Sequence, residues 1–249
     1  MSAAYDTYDY PSYWESREYE HKSEVMALSS LLSKIPKLNS IIEIGAGYGR
    51  LTSVYLYRGE KIILSDPSSK LLNLAKKNIK NKKVTFIQLK LENLSRKIKN
   101  KSADLVILIR VLHHLEDLDK ALAVIKKITK KNSYFILEFA NKRHLKALVN
   151  EFFKGNFTFL LDIFPKDLSS KKRRHNLPFI NYHPDLVKRK LKENGFKILE
   201  VRSVSNIRSP ILKKIIPLEV LLFIEKYAQK LLASINFGPS IFILSKKIG

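Results

Sequence analysis

The sequence predicts a doubly wound α/β fold. Short runs of four to six residues that are apolar nearly throughout recur along the chain, as expected for strands covered on both faces of a parallel sheet. Amphipathic segments separate these runs, and a repeated strand–helix unit folds with right-handed crossovers. The regular alternation of the two kinds of segment therefore predicts one central sheet with helices on both faces.

Seven runs are predicted as strands. They are SIIEI at 40–44, KIILS at 61–65, VTFIQL at 84–89, DLVILI at 104–109, YFILEF at 134–139, residues 197–202, and SIFILSKK at 240–247. Ser68 and Asp117 each precede an amphipathic segment and are predicted as helix N-caps. A further helix begins at Pro184 and stops at Gly195.

The chain is predicted to divide into an N-terminal cap helix region, residues 1–37, and one domain over residues 38–249. Within that domain, residues 142–182 form an insertion that is too long for a simple loop and is rich in Phe. Residues 217–235 form a late helix with a broad apolar face. Such a face usually packs on the protein's own sheet, and the alternatives are a wall of a ligand pocket or contact with an anionic membrane surface.

The net charge of +23 suggests an acidic partner, either nucleic acid or an anionic membrane. The basic residues are mostly lysines spread along the chain, however, which is equally typical of solvated faces, since phosphate recognition favours arginine. The one dense cluster is SKKRRHN at 170–176. Nucleic acid therefore stays a less favoured partner, peripheral membrane contact stays open, and no stable protein partner is evident.

The sequence contains no cysteine, which excludes disulfides, cysteine-ligated zinc, thiolate iron–sulfur clusters and cysteine nucleophiles. We assign no metal ligands. No apolar run approaches the roughly 20 residues of a spanning helix, and the N-terminus is acidic and aromatic rather than signal-like. We therefore expect a cytoplasmic protein.

Three glycines on alternate positions, Gly45, Gly47 and Gly49, follow the first predicted strand in SIIEIGAGYGR. In an open α/β sheet this loop lies at the carboxyl ends of the strands, where ligands bind. Glycine allows positive φ and close approach of a ligand to the backbone. The E-x-G-x-G-x-G pattern is not the dinucleotide fingerprint, and Glu43 would repel a pyrophosphate but suits a cationic or amine-bearing ligand.

Asp66 ends the second predicted strand, where an acid can accept hydrogen bonds from both hydroxyls of a ribose. The alternative is that Asp66 only caps the following helix. Taken with the glycine loop, Asp66 indicates a nucleoside that carries an amino acid.

At this point the residues resemble the class I S-adenosylmethionine-dependent methyltransferases. The segments similar to that family's motifs are, in order, IIEIGAGYGR, IILSDPS, VTFIQLKLENL and ADLVILIRVLHHLED, followed by YHPDLVKRKLKENGFKILEV as a late helix and strand. The resemblance implies a Rossmann-like, seven-stranded sheet, mostly parallel with an antiparallel last strand. It also implies S-adenosyl-L-methionine as cofactor and methylation by in-line transfer.

The resemblance also implies a set of cofactor-binding residues. They are Glu43, Gly45, Ala46, Gly47, Gly49, Asp66, Pro67, Leu91, Glu92, Arg110 and Tyr19. Glu43 is expected near the methionine amine and Asp66 at the ribose. Lys90 stands where the family has an acid that meets the adenine amino group, so that contact passes to the Leu91 backbone or to Glu92, or is lost.

His113 and His114 are the candidate catalytic bases for a hydroxyl or amine acceptor. The alternative is that this pair only caps or packs the start of a helix. In the N-terminal segment Tyr13, Trp14 and Arg17, with Tyr19, are expected to close the site against water, or else to pack a helix on the domain.

We expect a small, apolar methyl acceptor, because the insertion at 142–182 and the helix at 217–235 are rich in Phe, Leu and Ile. The second hypothesis is an RNA methyltransferase, motivated by the charge and by KKRRH. Against it, the absence of cysteine excludes the cysteine-nucleophile type, and IRVL after the fourth strand differs from an N-P-P-Y-like motif. The third hypothesis is a non-catalytic S-adenosylmethionine-binding protein, for which Lys90 is the only support.

Overall fold

A computed structural model describes residue 6 and residues 9–168 and 178–248 of the chain. Its strands are β1 (Leu38–Ile44), β2 (Gly59–Asp66), β3 (Val84–Gln88), β4 (Ala103–Leu108), β5 (Thr129–Ala140), β6 (Lys166–Asp167), β7 (Ile180–Asn181), β8 (Phe196–Val204) and β9 (Ser240–Lys247). Its helices are α1 (Ser12–Glu15), α2 (Glu18–Leu32), α3 (Thr52–Tyr55), α4 (Ser69–Asn78), α5 (Leu94–Lys97), α6 (Leu118–Ile128), α7 (Leu145–Phe153), α8 (Pro184–Glu193), α9 (Pro210–Ile215) and α10 (Leu218–Leu231).

The main sheet has seven strands in the order β3-β2-β1-β4-β5-β9-β8. Strand β9 is antiparallel to both β5 and β8, and the other neighbouring pairs are parallel. The predicted fold class, a mostly parallel, Rossmann-like sheet with an antiparallel last strand, is confirmed. The chain reverses its direction of winding between β1 and β4, and the crevice above such a switch point is where open α/β sheets bind ligands.

Both faces of the sheet are covered, which explains why its strands are apolar nearly throughout. Successive side chains of a strand point to opposite faces. Ile42 and Val106 pack with the side chains of α6 and α8 on one face. Ile41 and Leu105 pack with α2 and α3 on the other. Full burial of each such side chain contributes about 1.5 to 3 kcal/mol, so the two layers hold the switch point rigid.

The predicted helix starts are confirmed at two caps. The Ser68 side chain accepts a hydrogen bond from the Leu71 N–H group, and the Asp117 side chain accepts one from Lys120. Helix α8 begins at Pro184 as predicted, but its N-cap is the His183 side chain, which the sequence prediction missed. Each cap satisfies an N–H group that the first turn of a helix leaves without a partner.

The insertion at 142–182 is attached to the carboxyl edge of the sheet. Helix α7 and a two-residue antiparallel ribbon, β6 with β7, lie within it. Asn141, just beyond β5, bridges to Tyr182, and the Leu145 N–H group donates to the Phe237 carbonyl group at 3.0 Å. The basic cluster at 170–176 lies outside the described residues. The described part of the insertion therefore covers the edge at which β4 and β5 end.

Helix α10 is oriented differently from the expectation that its apolar face packs on the sheet. Its buried residues are Leu221, Glu225 and Gln229, while Phe223 and Tyr227 are exposed. The physical reason lies at the end of β8, where the N–H groups of residues 205 and 206 donate to the Glu225 carboxylate. Burying that acceptor turns the apolar face of the helix outward.

No helix among the described residues combines the length and the apolar character needed to cross a lipid bilayer.

Candidate active site

The glycine loop joins β1 to the elements that follow it in a compact turn. The N–H groups of Gly45 and Ala46 both donate to the Ser65 carbonyl group of β2, at 2.7 and 3.0 Å. Gly45, Gly47 and Gly49 all have positive φ, at 72°, 57° and 79°. Other residues rarely adopt this left-handed conformation, so the alternate glycines let the loop fold tightly over the carboxyl end of β1.

The three glycines are needed for two different reasons. A Cβ atom on Gly45 would lie 2.1 Å from a Val111 methyl group, and one on Gly49 would lie 2.4 Å from the Ile79 Cδ1 atom. A Cβ atom on Gly47 would meet nothing closer than the Tyr10 ring at 3.8 Å. Gly45 and Gly49 therefore allow close packing, whereas a Cβ atom on Gly47 would make only ordinary van der Waals contact with Tyr10 and Leu71. We call the Gly47 backbone below Tyr10 the cradle, the surface of the loop that a flat or extended ligand would contact.

Asp66 is buried beneath this cradle. One carboxylate oxygen accepts the Gly47 N–H group at 2.9 Å and the other accepts the Ser68 N–H group at 2.8 Å. Burial raises the pKa of Asp66 to about 6, although both hydrogen bonds act in the opposite direction. The N-cap of α4 is Ser68 and not Asp66. Each carboxylate oxygen can accept more than one hydrogen bond, so the carboxylate has lone pairs for ligand hydroxyl groups.

Glu43 lies on the face of β1 that is covered by α3. Its carboxyl group accepts hydrogen bonds from the Tyr55 hydroxyl group and, at 3.3 Å, from the Thr52 hydroxyl group. Burial raises the pKa of Glu43 to about 7, against the effect of these two donors. An acid with this pKa is poised to lose its proton when a cationic amine comes close.

A buried ion cluster stands between the glycine loop and the N-terminal helices. The fully buried Glu24 of α2 accepts bonds from Arg50 at 2.5 Å and from Arg110 Nε at 2.7 Å. Burial alone would raise the pKa of Glu24, but Arg110 and Arg50 lower it by more than burial raises it. The net pKa is therefore below the ordinary value, and the group is held as a carboxylate. The Arg50 guanidinium lies 3.5 Å from the Trp14 ring centroid, within the range of a cation–π contact.

Arg110 follows β4 in an unusual backbone conformation. Its φ is +63°, and its N–H group donates to Glu138 Oε2 at 2.7 Å, while the Ser240 hydroxyl group donates to Glu138 Oε1. Burial raises the pKa of Glu138, and the glutamates raise that of Arg110 in spite of its own burial. Left-handed non-glycine residues cost of order 1 kcal/mol and cluster at functional sites. The left-handed conformation of Arg110 is therefore consistent with its predicted position at the cleft.

Aromatic residues of the N-terminal segment cover the glycine loop. The Tyr10 ring is 6.0 Å from the Tyr13 ring and 6.0 Å from the Tyr48 ring, and Trp14 is edge-on to both Tyr10 and Tyr13. The Arg17 guanidinium lies 4.2 Å from the Tyr13 ring centroid. The aromatic residues in contact with the glycine loop therefore come from the turn and α1 that precede α2.

Tyr19 lies elsewhere than we expected. Its ring is on the α10 side of α2, where its hydroxyl group donates to Glu225 at 2.7 Å and accepts the Ile207 N–H group at 3.1 Å. These bonds hold the hydroxyl group in the α2–α10 contact. Tyr10 and Trp14, not Tyr19, occupy the position over the loop.

The third motif contributes few polar side chains to the cleft. Lys90 and Glu92 are exposed, and the Leu91 side chain is buried in the core. A contact of Leu91 with an adenine must therefore use its backbone. Ala46 also packs in the core, and the Pro67 carbonyl group accepts the Gln88 amide at 3.3 Å.

His113 and His114 occupy the turn after β4 and lie against Pro178 and Phe179, the two residues before β7. Their ring centroids are 4.0 Å apart, and the Phe179 ring centroid is 4.8 Å from that of His113. His114 Nδ1 is 2.9 Å from the Pro178 carbonyl oxygen. A carbonyl group only accepts, so Nδ1 carries the hydrogen and the basic lone pair of neutral His114 is on Nε2.

Glu24, Tyr10 and Glu138 lie at the cleft but are not among the residues predicted from the sequence. Glu24 had a detectable signal, because it stands at helical spacing with Ala27, Leu28 and Leu31, which are all buried. A single acid on the apolar face of a helix needs a buried partner. Its partners, Arg50 and Arg110, come from distant parts of the chain and were not apparent in the sequence.

Residues 42–137 match a family model described as a methyltransferase domain. A comparison with curated proteins finds no match. Among solved structures, a Thermotoga maritima protein described as a SAM-dependent methyltransferase and possible histamine N-methyltransferase is 18% identical, with a TM-score of 0.69 over 98% of each chain.

Two further structures are similar to the chain. A SAM-dependent methyltransferase from Archaeoglobus fulgidus is 19% identical, with a TM-score of 0.61 over 96% of this chain and 100% of that one. A complex between the Haloferax volcanii Trm112 methyltransferase activator and a methyltransferase gives 12% identity and a TM-score of 0.65 over 99% and 97%. At such identities these structures establish the fold, and the family model identifies the domain within it. Residues 42–137 are therefore similar to a methyltransferase domain, and the whole chain has the fold that these S-adenosylmethionine-dependent methyltransferase structures share.

Proposed function

We propose that this enzyme methylates a small, apolar acceptor by in-line transfer. The observation that carries the proposal is the wall on the acceptor side of the cleft. There the segment around β7 packs on the turn after β4. Phe179 lies against His113, and the Tyr182 hydroxyl group donates to the Leu115 carbonyl group at 3.0 Å. The described part of this wall is aromatic and apolar rather than basic.

The cofactor supplies a methyl group on a sulfonium, which is already activated for displacement. The residues present fit its parts: Gly47 forms the cradle, and the buried Asp66 carboxylate offers acceptors for ribose hydroxyl groups. Glu43 is the second-last residue of β1, two positions before Gly45, and in this proposal it is the partner of the methionine amine. Tyr10 and Trp14 exclude water above the loop, so the protein contributes mainly alignment and dry surroundings.

In this proposal His114 is the base for a hydroxyl or amine acceptor. The bond of Nδ1 to the Pro178 carbonyl group fixes the ring and places the basic lone pair on Nε2. His113 packs between His114 and Phe179 and supports that orientation. The description of the Thermotoga maritima protein as a possible histamine N-methyltransferase also favours a small acceptor.

The test is a transfer assay with S-adenosylmethionine labelled on the methyl group. The protein is incubated with the organic-soluble extract of cells, and in parallel with their RNA, and the label is counted in each fraction. We expect label in the organic fraction, with Asp66→Ala as the inactive control. Label confined to RNA would overturn the proposal.

The second candidate, an RNA methyltransferase, is favoured by the net charge of +23. An RNA-binding enzyme releases counterions, so its affinity falls steeply with salt. Binding of labelled RNA is therefore measured at low and at physiological salt. A steep decrease together with label in RNA would support this candidate, and weak binding at both salt concentrations would exclude it.

A further inference from the structure

Helix α10 exposes an apolar stripe along its length. The stripe consists of Val220, Phe223, Ile224, Tyr227 and Leu231, which are 46%, 63%, 44%, 54% and 72% exposed. Their spacing of three or four residues places them on one face of the helix. Ile211 and Ile215 of the preceding helix α9 are 67% and 73% exposed. Bulky apolar side chains exposed on one face of a helix are typical of an interaction site.

Polar contacts on the opposite face fix this orientation. Glu225 accepts the Tyr19 hydroxyl group and the N–H groups of Ser205 and Asn206, and the Gln229 amide donates to the Ser23 carbonyl group at 2.9 Å. Rotating the helix to bury the stripe would leave these buried groups without partners, at a cost of about 1 to 3 kcal/mol for each. The apolar face is therefore held outward by the fold.

Positive charge borders the stripe. Lys226 and Lys230 are exposed beside Tyr227, and Lys214 is exposed at the end of α9. Glu219 is the exposed acid of α10, since Glu225 is buried. An amphipathic helix with a bulky apolar face and flanking lysines is the arrangement that lies in the interface of an anionic membrane.

A groove of about 450 Å³ between α2 and α10 continues the stripe. Apolar side chains of Met26, Tyr227 and Leu231 and the cationic side chains of Arg202, Lys226 and Lys230 line it. Arg202 is 9% exposed and pairs with Ser30 and Glu200, while its Nε atom has no hydrogen-bond partner among the residues that the structure describes. Apolar walls beside three cations suit a lipid with an anionic headgroup.

We propose that the α10 face docks on an anionic lipid membrane, with the stripe in the acyl boundary and a lipid headgroup phosphate at the groove. Charge favours this occupant over a second copy of the chain, because two molecules of net charge +23 repel each other whereas an anionic surface attracts them. The proposal concerns where the enzyme works and does not depend on the identity of its methyl acceptor.

The test is co-sedimentation of the full chain with vesicles of phosphatidylcholine alone or with about one-fifth phosphatidylglycerol. We expect binding to the anionic vesicles and little to the neutral ones. Lys226→Gln/Lys230→Gln should weaken that binding about 10- to 30-fold, since each lysine near such a surface contributes about 1 kcal/mol. Its matched control is Lys80→Gln/Lys82→Gln, at the opposite edge of the sheet beside β3.

A second pair of variants tests the stripe itself. Phe223→Ser should weaken vesicle binding, whereas Tyr57→Ser, at a 68% exposed ring between α3 and β2, should not. Binding of S-adenosylhomocysteine reports whether each variant is folded. Absence of binding to anionic vesicles, or equal losses in variant and control pairs, would overturn the proposal. If the protein does not bind vesicles but forms a dimer that Phe223→Ser dissociates, the face belongs to an interface with a second copy instead.

Discussion

Asp66 is a buried hydrogen-bond acceptor, and burial changes the pH at which its side chain is ionised. The carboxylate bonds the glycine loop to the start of α4 through two N–H groups. Burial raises its pKa to about 6, so the side chain is fully ionised, as the acceptor carboxylate, only above that pH. Cofactor binding should therefore depend on the ionisation of Asp66, in addition to that of Glu43, whose pKa is about 7.

We expect Asp66→Ala to weaken binding of S-adenosylhomocysteine by about 1 to 3 kcal/mol, because ribose hydroxyl groups lose their partner. In the wild type, affinity should fall as the pH decreases through about 7, where Glu43 takes up a proton, and fall further through about 6, where Asp66 does. Calorimetric titration between pH 5 and 8 measures both effects. Asp66→Asn is the matched variant: a decrease through about pH 6 that persists in it would assign that titration to another group.

Glu43 should make the free protein less stable at high pH. Its pKa is about 7 in the folded state against an ordinary value of 4.5, so the folded protein holds a proton that the unfolded chain has lost. Stability is therefore greater below pH 4.5 and declines as the pH rises to about 7.

We expect Glu43→Gln to gain about 2 to 3 kcal/mol in unfolding free energy relative to wild type between pH 5 and pH 8. Urea unfolding at the two pH values measures this difference. Glu60→Gln removes an exposed carboxylate from the neighbouring strand, and its effect should not change over this range. An equal stability difference for Glu43→Gln at both pH values would show that the group does not titrate there.

At the scale of elements, the glycines of the loop differ in role: two of them pack against other side chains, and the third faces the proposed ligand site. Gly45 and Gly49 are in contact with Val111 and Ile79, while Gly47 forms the cradle below Tyr10. The same substitution at the three positions should therefore give different results.

We expect Gly45→Ala and Gly49→Ala to destabilise the fold by about 2 to 4 kcal/mol, since each adds a steric clash to a left-handed alanine. Gly47→Ala should cost about 1 kcal/mol of stability and should weaken S-adenosylhomocysteine binding more than it weakens the fold. Urea unfolding and calorimetry on the three variants give both quantities. Unchanged binding in folded Gly47→Ala would show that the cradle is not the cofactor site.

At the scale of the whole molecule, the excess of basic residues opposes compactness. A net charge of +23 repels itself more strongly in the folded state than in the expanded chain. The effect is long-ranged at low ionic strength and is screened within about 10 Å at 0.1 M salt.

We expect the unfolding temperature to rise by several degrees between about 20 mM and about 300 mM NaCl. Lys80→Glu/Lys82→Glu, which reverses two exposed charges far from the cleft, should show a smaller rise. Thermal unfolding followed by circular dichroism measures both. A salt effect of the same size in the two proteins would point to specific ion binding instead of general repulsion.

Local patterns in the sequence are enough to predict the sheet, its helix starts and the glycine loop at the carboxyl end of the first strand. These features are the apolar runs, the caps at Ser68 and Asp117, and the glycines before Arg50. Each depends on interactions within a few residues, so the sequence alone predicts it. The fold class follows from such local patterns, and the seven-stranded sheet of the structure confirms it.

Contacts between residues that are distant in the chain become visible in the folded structure. It joined Glu24 to Arg50 and Arg110, and it moved Tyr19 to the α10 contact while Tyr10 took the place above Gly47. It also turned the apolar face of α10 outward. The reason is common to all three: a buried carboxylate takes the donors that the fold brings to it, and those donors lie far apart in sequence.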